Sequence, residues 1–123
     1  MTGDARRAAS VVVAVLLVAG CGPAPDAAPF IGKGAVVQAI NVTFEPVEIT
    51  LPTGAPLRIV LDNRDTGVPH DVKVFQGDTN IAQSPVVTGP ATTEVRFGPL
   101  APARYQFMCT VHPTMLGSVI VTP

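Results

Sequence analysis

From residue 35 onward, hydrophobic and polar residues come in short runs, each broken by proline or glycine. AVVQAI, 35–40, is a brief apolar run, and NVTFEPVEITL follows at 41–51. Phe44 is apolar there, and from Val47 every second residue is, with Ile49 and Leu51 in phase. Period two marks a strand with one buried face, and Pro46 predicts a bend or a sheet edge. PTGAP, 52–56, is a turn, LRIVL, 57–61, a buried strand, and DNRDTGVP, 62–69, a polar loop. HDVKVF, 70–75, reads as a strand with His70, Val72 and Val74 on one face. Residues 76–90 read as a loop holding at most a short helix or an irregular strand. ATTEVRF, 91–97, is a strand, GPLAPA a turn, and RYQFMC, 104–109, a strand with Tyr105, Phe107 and Cys109 on one face. GSVIVT, 117–122, closes the chain. About seven to eight strands, no long helix and no repeat predict an all-β fold, an antiparallel Greek-key β-sandwich.

The first 34 residues do not follow this pattern. MTGDARRAAS carries Arg6 and Arg7, VVVAVLLVA (11–19) is apolar, and Gly20-Cys21 follows. A basic start, a short apolar run and small residues before a cut site describe an export signal. The run is too short to cross a bilayer, which takes about 20 residues. Val18-Ala19-Gly20-Cys21 resembles a bacterial lipobox, whose cysteine becomes the lipidated first residue of the mature chain. The expected organisation is a lipoprotein signal peptide at 1–20, lipidation at Cys21, a Pro/Ala/Gly-rich tether at 21–34, and one domain at 35–123. The protein is then exported, and anchored by lipid to the outer face of the cytoplasmic membrane or elsewhere in the bacterial envelope. A formal charge of −1 leaves nucleic acid and anionic membrane surfaces without an electrostatic reason to bind.

The chain has two cysteines, two histidines and three methionines, and CTVHPTM, 109–115, holds one of each. With Cys21 acylated, Cys109 has no disulfide partner. A lone thiol in an oxidising compartment is a liability unless a metal holds it. Cys109, His112 and Met115 follow one another at intervals of three on a loop between two strands, and Pro113 stiffens that loop. The remaining histidine is His70. Singly, a cysteine or methionine in such a place is ordinary core filler. Jointly they make a His₂Cys set with a weak axial methionine, the donor set of a mononuclear blue-copper centre. Zinc rarely takes methionine.

With YQFMCTVHPTMLGSVIV, VPHDVKVF and FEPVEITLPTGAPLRIVLDN in place, the chain resembles the cupredoxin family of small blue-copper proteins over roughly 35–123. Its C-x-x-H-x-x-M spacing resembles the short amicyanin type of loop. The resemblance implies one copper ion cycling between Cu(II) and Cu(I), with His70, Cys109 and His112 as strong equatorial ligands and Met115 as the weak axial one. It also implies that the edge of His112 is an electron port through an apolar surface made by Val68, Pro69, Pro113, Thr114 and Leu116. Such a port suits brief, weakly oriented docking. Two residues depart from the family pattern. Asp71 stands where many members have asparagine; it can accept hydrogen bonds between the ligand loops but not donate them, and its charge favours Cu(II). Val111 stands where proline is frequent and restores an N–H, which would raise the potential if aimed at the thiolate.

Four fixed ligands with no open position suit one-electron transfer and not catalysis, so the chain is not expected to be an enzyme. The expected partners are envelope redox proteins acting as donor and acceptor, and the expected state is a monomer. One alternative is a copper storage, delivery or tolerance protein without a redox partner; another is an interaction module whose metal is incidental. The tether lacks the Met- or His-rich tract common in copper delivery, which favours the carrier.

Overall fold

The computed structural model describes residues 29–123. The expectations for the signal peptide, Cys21 and the first part of the tether lie outside the described residues. Among the described residues there are eleven short strands and no helix. They are β1 (Lys33–Ala39), β2 (Phe44–Glu45), β3 (Glu48–Pro52), β4 (Leu57–Asn63), β5 (Pro69–His70), β6 (Lys73–Gln76), β7 (Thr79–Gln83), β8 (Val87–Thr88), β9 (Ala91–Phe97), β10 (Ala103–Met108) and β11 (Leu116–Thr122). One sheet has the order β2-β1-β4-β9, the second β3-β11-β10-β6-β7, and β5 pairs with β8 apart from both.

Alternation decides which residues enter the core. β4 reads buried, half-buried, buried along its whole length, with Leu57, Ile59 and Leu61 pointing inward. β11 does the same with Val119 and Val121, and β10 with Tyr105 and Phe107. Each such side chain, fully buried, contributes about 1.5–3 kcal/mol. Phe44 meets Phe107 edge-on at 5.0 Å between ring centroids. Gly117 sits opposite Phe107 in the β10–β11 register, and a Cβ there would drive into the Phe107 ring. That glycine lets the last strand lie close over the aromatic pair, immediately after the CTVHPTM loop.

The sandwich is the expected one, but several details differ. The sheets are mixed, not antiparallel: β1 pairs with β4 in parallel, and β3 with β11. Parallel neighbours need a crossover between them. Pro46 marks it, where the chain leaves β2 at the edge of one sheet and enters β3 at the edge of the other. Val47 falls before β3 and is 56 % exposed, although Ile49 and Leu51 are buried as their spacing predicts. Residues 76–90 hold no helix; β7 returns antiparallel on β6 and β8 covers β5. β1 begins at Lys33, inside the stretch read as tether. Just before it the Phe30 ring lies under the guanidinium groups of Arg58 and Arg96, 4.8 and 5.2 Å from its centroid. Cation–π attraction of this kind docks the start of the domain onto the outer face of the first sheet.

Candidate metal centre

The strand expected at 70–75 is broken. β5 ends at His70 and β6 starts at Lys73, so the alternation fails and His70, Asp71 and Val72 are all fully buried. The break is held by Ser84, whose Oγ accepts the Val72 N–H at 2.9 Å while its own N–H bonds the Val72 carbonyl at 2.9 Å. Freed from the pleat, His70 and Asp71 both turn toward the loop that follows β10.

That loop is CTVHPTM. It closes on itself through two backbone bonds, Met115 N–H to the His112 carbonyl at 2.9 Å and Cys109 N–H to the Met115 carbonyl at 3.1 Å. These bonds fold seven residues into a tight arc, with Cys109 and Met115 buried and His112 half-buried. Cys109 Sγ lies 3.6 Å from His70 Nδ1 and 3.8 Å from His112 Nδ1. The two imidazole rings are 4.8 Å apart, tilted by 55°. The three donor atoms all lie within 4.8 Å of one another. Taking zinc bond lengths as a yardstick, a sulfur at about 2.3 Å and a nitrogen at about 2.0 Å from one ion stand roughly 3.7 Å apart at a trigonal angle. The two sulfur–nitrogen separations match that, and with all three donor atoms within 4.8 Å of one another His70, Cys109 and His112 are placed to close on one metal ion. The donor set, one soft sulfur and two imidazoles with a buried methionine closing the same loop, suits copper.

Asp71 ties the two ligand-bearing segments together. One of its carboxylate oxygens accepts the Thr110 N–H at 2.7 Å; the other accepts the Thr110 hydroxyl at 2.7 Å and the Gln83 side-chain amide at 2.9 Å. An acceptor-only group can therefore bridge the loops, because Thr110 supplies both donors. The N–H restored by Val111 is not seen on the sulfur: among the described residues, the partners of Cys109 Sγ are the two histidine nitrogens. Val111 is 40 % exposed instead. Of the residues expected to form the port, Val68 and Pro69 are half-buried, and Pro113, Thr114 and Leu116 are exposed.

Residues that the sequence reading passed over hold the His70 side. Buried Asn63 donates its amide to the Val68 carbonyl at 2.8 Å and to the Val87 carbonyl at 2.9 Å, and its Oδ1 accepts the Asp65 N–H at 3.0 Å. Asp65 Oδ2 lies 2.8 Å from His70 Nε2. Burial alone would raise the Asp65 pKa. The Val42 N–H, His70 and the Asn41 N–H together outweigh it and hold the carboxyl below its ordinary value. A polar loop with two aspartates and an asparagine just before a candidate ligand was the available signal, but any of the three could equally have faced water.

Solved structures of similar shape include auracyanin A, a "blue" copper protein of the green thermophilic photosynthetic bacterium Chloroflexus aurantiacus, at TM-score 0.65 and 21 % identity, covering 74 % of this chain and 100 % of that one. The dithionite-reduced auracyanin of Roseiflexus castenholzii matches at 0.66 and 19 %, covering 74 % and 97 %. Amicyanin of Paracoccus versutus matches at 0.56 and 23 %, covering 72 % and 81 %. At these identities the likeness establishes the fold. No curated protein matches the chain. The sequence pattern of the cupredoxin-like domain matches residues 9–121, most of the chain, and the chain belongs to the cupredoxin-like family.

Proposed function

We propose that this protein is a one-electron carrier built on a mononuclear type 1 copper centre, with His70, Cys109 and His112 as the strong ligands and Met115 as the weak one. The observation that supports this most is the convergence of one sulfur and two Nδ1 atoms within 4.8 Å, from two segments 39 residues apart. A copper ion bound there would take up and give back a single electron. The chain's part is to keep the donors where they are in both states. The self-closed loop fixes Cys109, His112 and Met115 relative to one another, Asp71 locks that loop to the His70 segment, and the sandwich buries the set. His70 and Cys109 are fully buried, which suits a retained ion and favours the carrier over a delivery role. His112 is the ligand nearest solvent, so its edge is the proposed port, with Val68, Pro69, Pro113, Thr114 and Leu116 as its rim.

The protein loaded with Cu(II) should be intensely blue and should cycle reversibly by one electron; a colourless protein, or colour that survives Cys109→Ser, overturns the reading. We propose further that the chain is exported, lipidated at Cys21 and tethered to the cell envelope, where it docks with redox proteins that supply and take its electron. This part rests on the lipobox alone. Mass analysis of the mature protein should show an acylated Cys21, and Cys21→Ser should release the protein from the membrane fraction.

A further inference from the structure

Asp65 belongs to neither ligand segment, yet its carboxylate is the meeting point of three donors. Oδ2 lies 2.8 Å from His70 Nε2, Oδ1 accepts the Asn41 N–H at 2.6 Å, and Oδ2 accepts the Val42 N–H at 2.8 Å. Asn41 and Val42 are the two central residues of the β1–β2 turn, which Ile40 and Thr43 close by reciprocal backbone bonds of 2.9 and 3.1 Å. Both have positive φ, 52° and 57°. Such two-residue turns normally carry glycine or asparagine, and positive φ is costly for a β-branched residue. Val42 is held in that conformation with its N–H, like its neighbour's, aimed at the carboxylate. Two successive amides presented to one anion form a small nest. The Asp65 main chain is fixed as well: its N–H bonds Asn63 Oδ1 at 3.0 Å and its carbonyl accepts the Val68 N–H at 3.1 Å. Gly89 crosses so near that carbonyl that a Cβ would not fit.

An ionised carboxylate only accepts hydrogen bonds. In the neutral imidazole the proton then sits on His70 Nε2, which leaves Nδ1 bare and facing Cys109 Sγ at 3.6 Å. We propose that Asp65 is a positioning residue for the centre: anchored by the β1–β2 turn, it holds His70 in the tautomer that binds metal through Nδ1 and makes that imidazole a stronger donor. A carboxylate behind a ligating histidine raises its basicity, and a more basic nitrogen favours Cu(II) over Cu(I). Among the described residues no carboxylate pairs with His112, so the two histidine ligands are unequal. The tautomer half of this proposal concerns the metal-free protein; the donor-strength half rests on the copper reading above.

The test compares the wild type with Asp65→Ala and Asp65→Asn. Nitrogen-15 NMR of the metal-free wild type should show His70 as the Nε2–H form alone, and Asp65→Ala should show a mixture of tautomers. With copper bound, Asp65→Ala should lose roughly 10–100-fold in Cu(II) affinity and less in Cu(I) affinity, raising the potential by about 59 mV for each tenfold difference. Asp65→Asn keeps one acceptor oxygen; it should retain the tautomer, raise the potential by less, and carry the test if the alanine variant does not fold. An Nδ1–H His70 in the wild type, or potentials equal in wild type and both variants, overturns the proposal. A wild type that has the expected tautomer but forms no blue copper centre overturns the copper reading and leaves the positioning of His70 standing.

Discussion

The loop that carries Cys109, His112 and Met115 is seven consecutive residues closed by two of its own backbone bonds. The half that carries His70 is assembled from distant parts: Asn41 and Val42 on a hairpin turn, Asn63 at the end of β4 and Asp65 just after it, and Val87 in β8. Local closure makes the first half compact and recognisable, because spacing alone dictates where its donors fall. The second half has no spacing rule. Its imidazole is aimed by hydrogen bonds that exist only once two sheets and a hairpin are in place. A metal centre can thus combine a motif with an environment, and the environment is where this chain's own character lies.

The link between the halves is the most sensitive point. Asp71→Ala strands the Thr110 N–H and hydroxyl without their acceptor, and hydrogen bonds to a charged group are each worth roughly 1.5–3 kcal/mol. With the cost of burying the carboxylate removed at the same time, a net loss of about 3 kcal/mol is expected in denaturant unfolding of the metal-free protein. Asp71→Asn should recover part of it, since one oxygen remains for Thr110. Equal stability of wild type and Asp71→Ala would mean that the halves stand independently.

The motif half can be strained from behind. Gly117→Ala pushes a methyl into the Phe107 ring, and overpacking of this kind costs about 1–3 kcal/mol. Thermal unfolding should show that loss, and Gly117→Ala with Phe107→Leu should recover some of it.

The His70 half can be loosened by acid. The Asp65 carboxyl is held below its ordinary value, with burial opposing and the Val42, His70 and Asn41 hydrogen bonds prevailing. A depressed carboxylate adds stability above its unfolded value of about 3.9. That contribution disappears as pH falls below this value and through the lower folded one. Urea midpoints of the metal-free protein should therefore drop between about pH 4 and lower pH, and drop less in Asp65→Asn. Identical slopes would show that Asp65 gains nothing from its three donors.

The smallest effect is expected at the hairpin. Val42→Gly relieves a left-handed residue, worth about 1–2 kcal/mol, against the greater freedom glycine has when unfolded, roughly 0.5–1 kcal/mol. A slight stabilisation, under about 1 kcal/mol, should appear with the copper potential unchanged. A shifted potential would mean that the turn tunes the site through more than the Asp65 anchor.

Much of the fold was readable from alternation. The Leu57–Leu61, Tyr105–Cys109 and Gly117–Thr122 segments bury the faces their period predicts, because side chains on a strand must alternate. Alternation failed where strands are two residues long or the pleat breaks. β5, β8 and the Asp71–Val72 break carry no detectable period, and β7, with its half-exposed residues, looks like loop. Parallel pairing was invisible too, since the same alternation serves a strand whichever way its neighbour runs. At the site, His70, Cys109, His112 and Met115 could be named from their chemistry and scarcity. Asp65, Asn63 and Gln83 could not, because a polar residue in a polar loop has no sequence mark that separates a buried acceptor from a solvated one.

The sequence by itself determined the β class, the donor set and the short loop that carries three of its members, because these depend on residue type and on spacing along one stretch of chain. Only the tertiary structure decided which way His70 faces, what stands behind its ring and how Asp71 joins the two halves. Those outcomes depend on contacts that tie Asp65 to the β1–β2 turn, 23 and 24 positions away, and Asp71 to Thr110, 39 positions away, which form only when the two sheets pack and bring a hairpin turn, a broken strand and a copper-type loop to the same end of the sandwich.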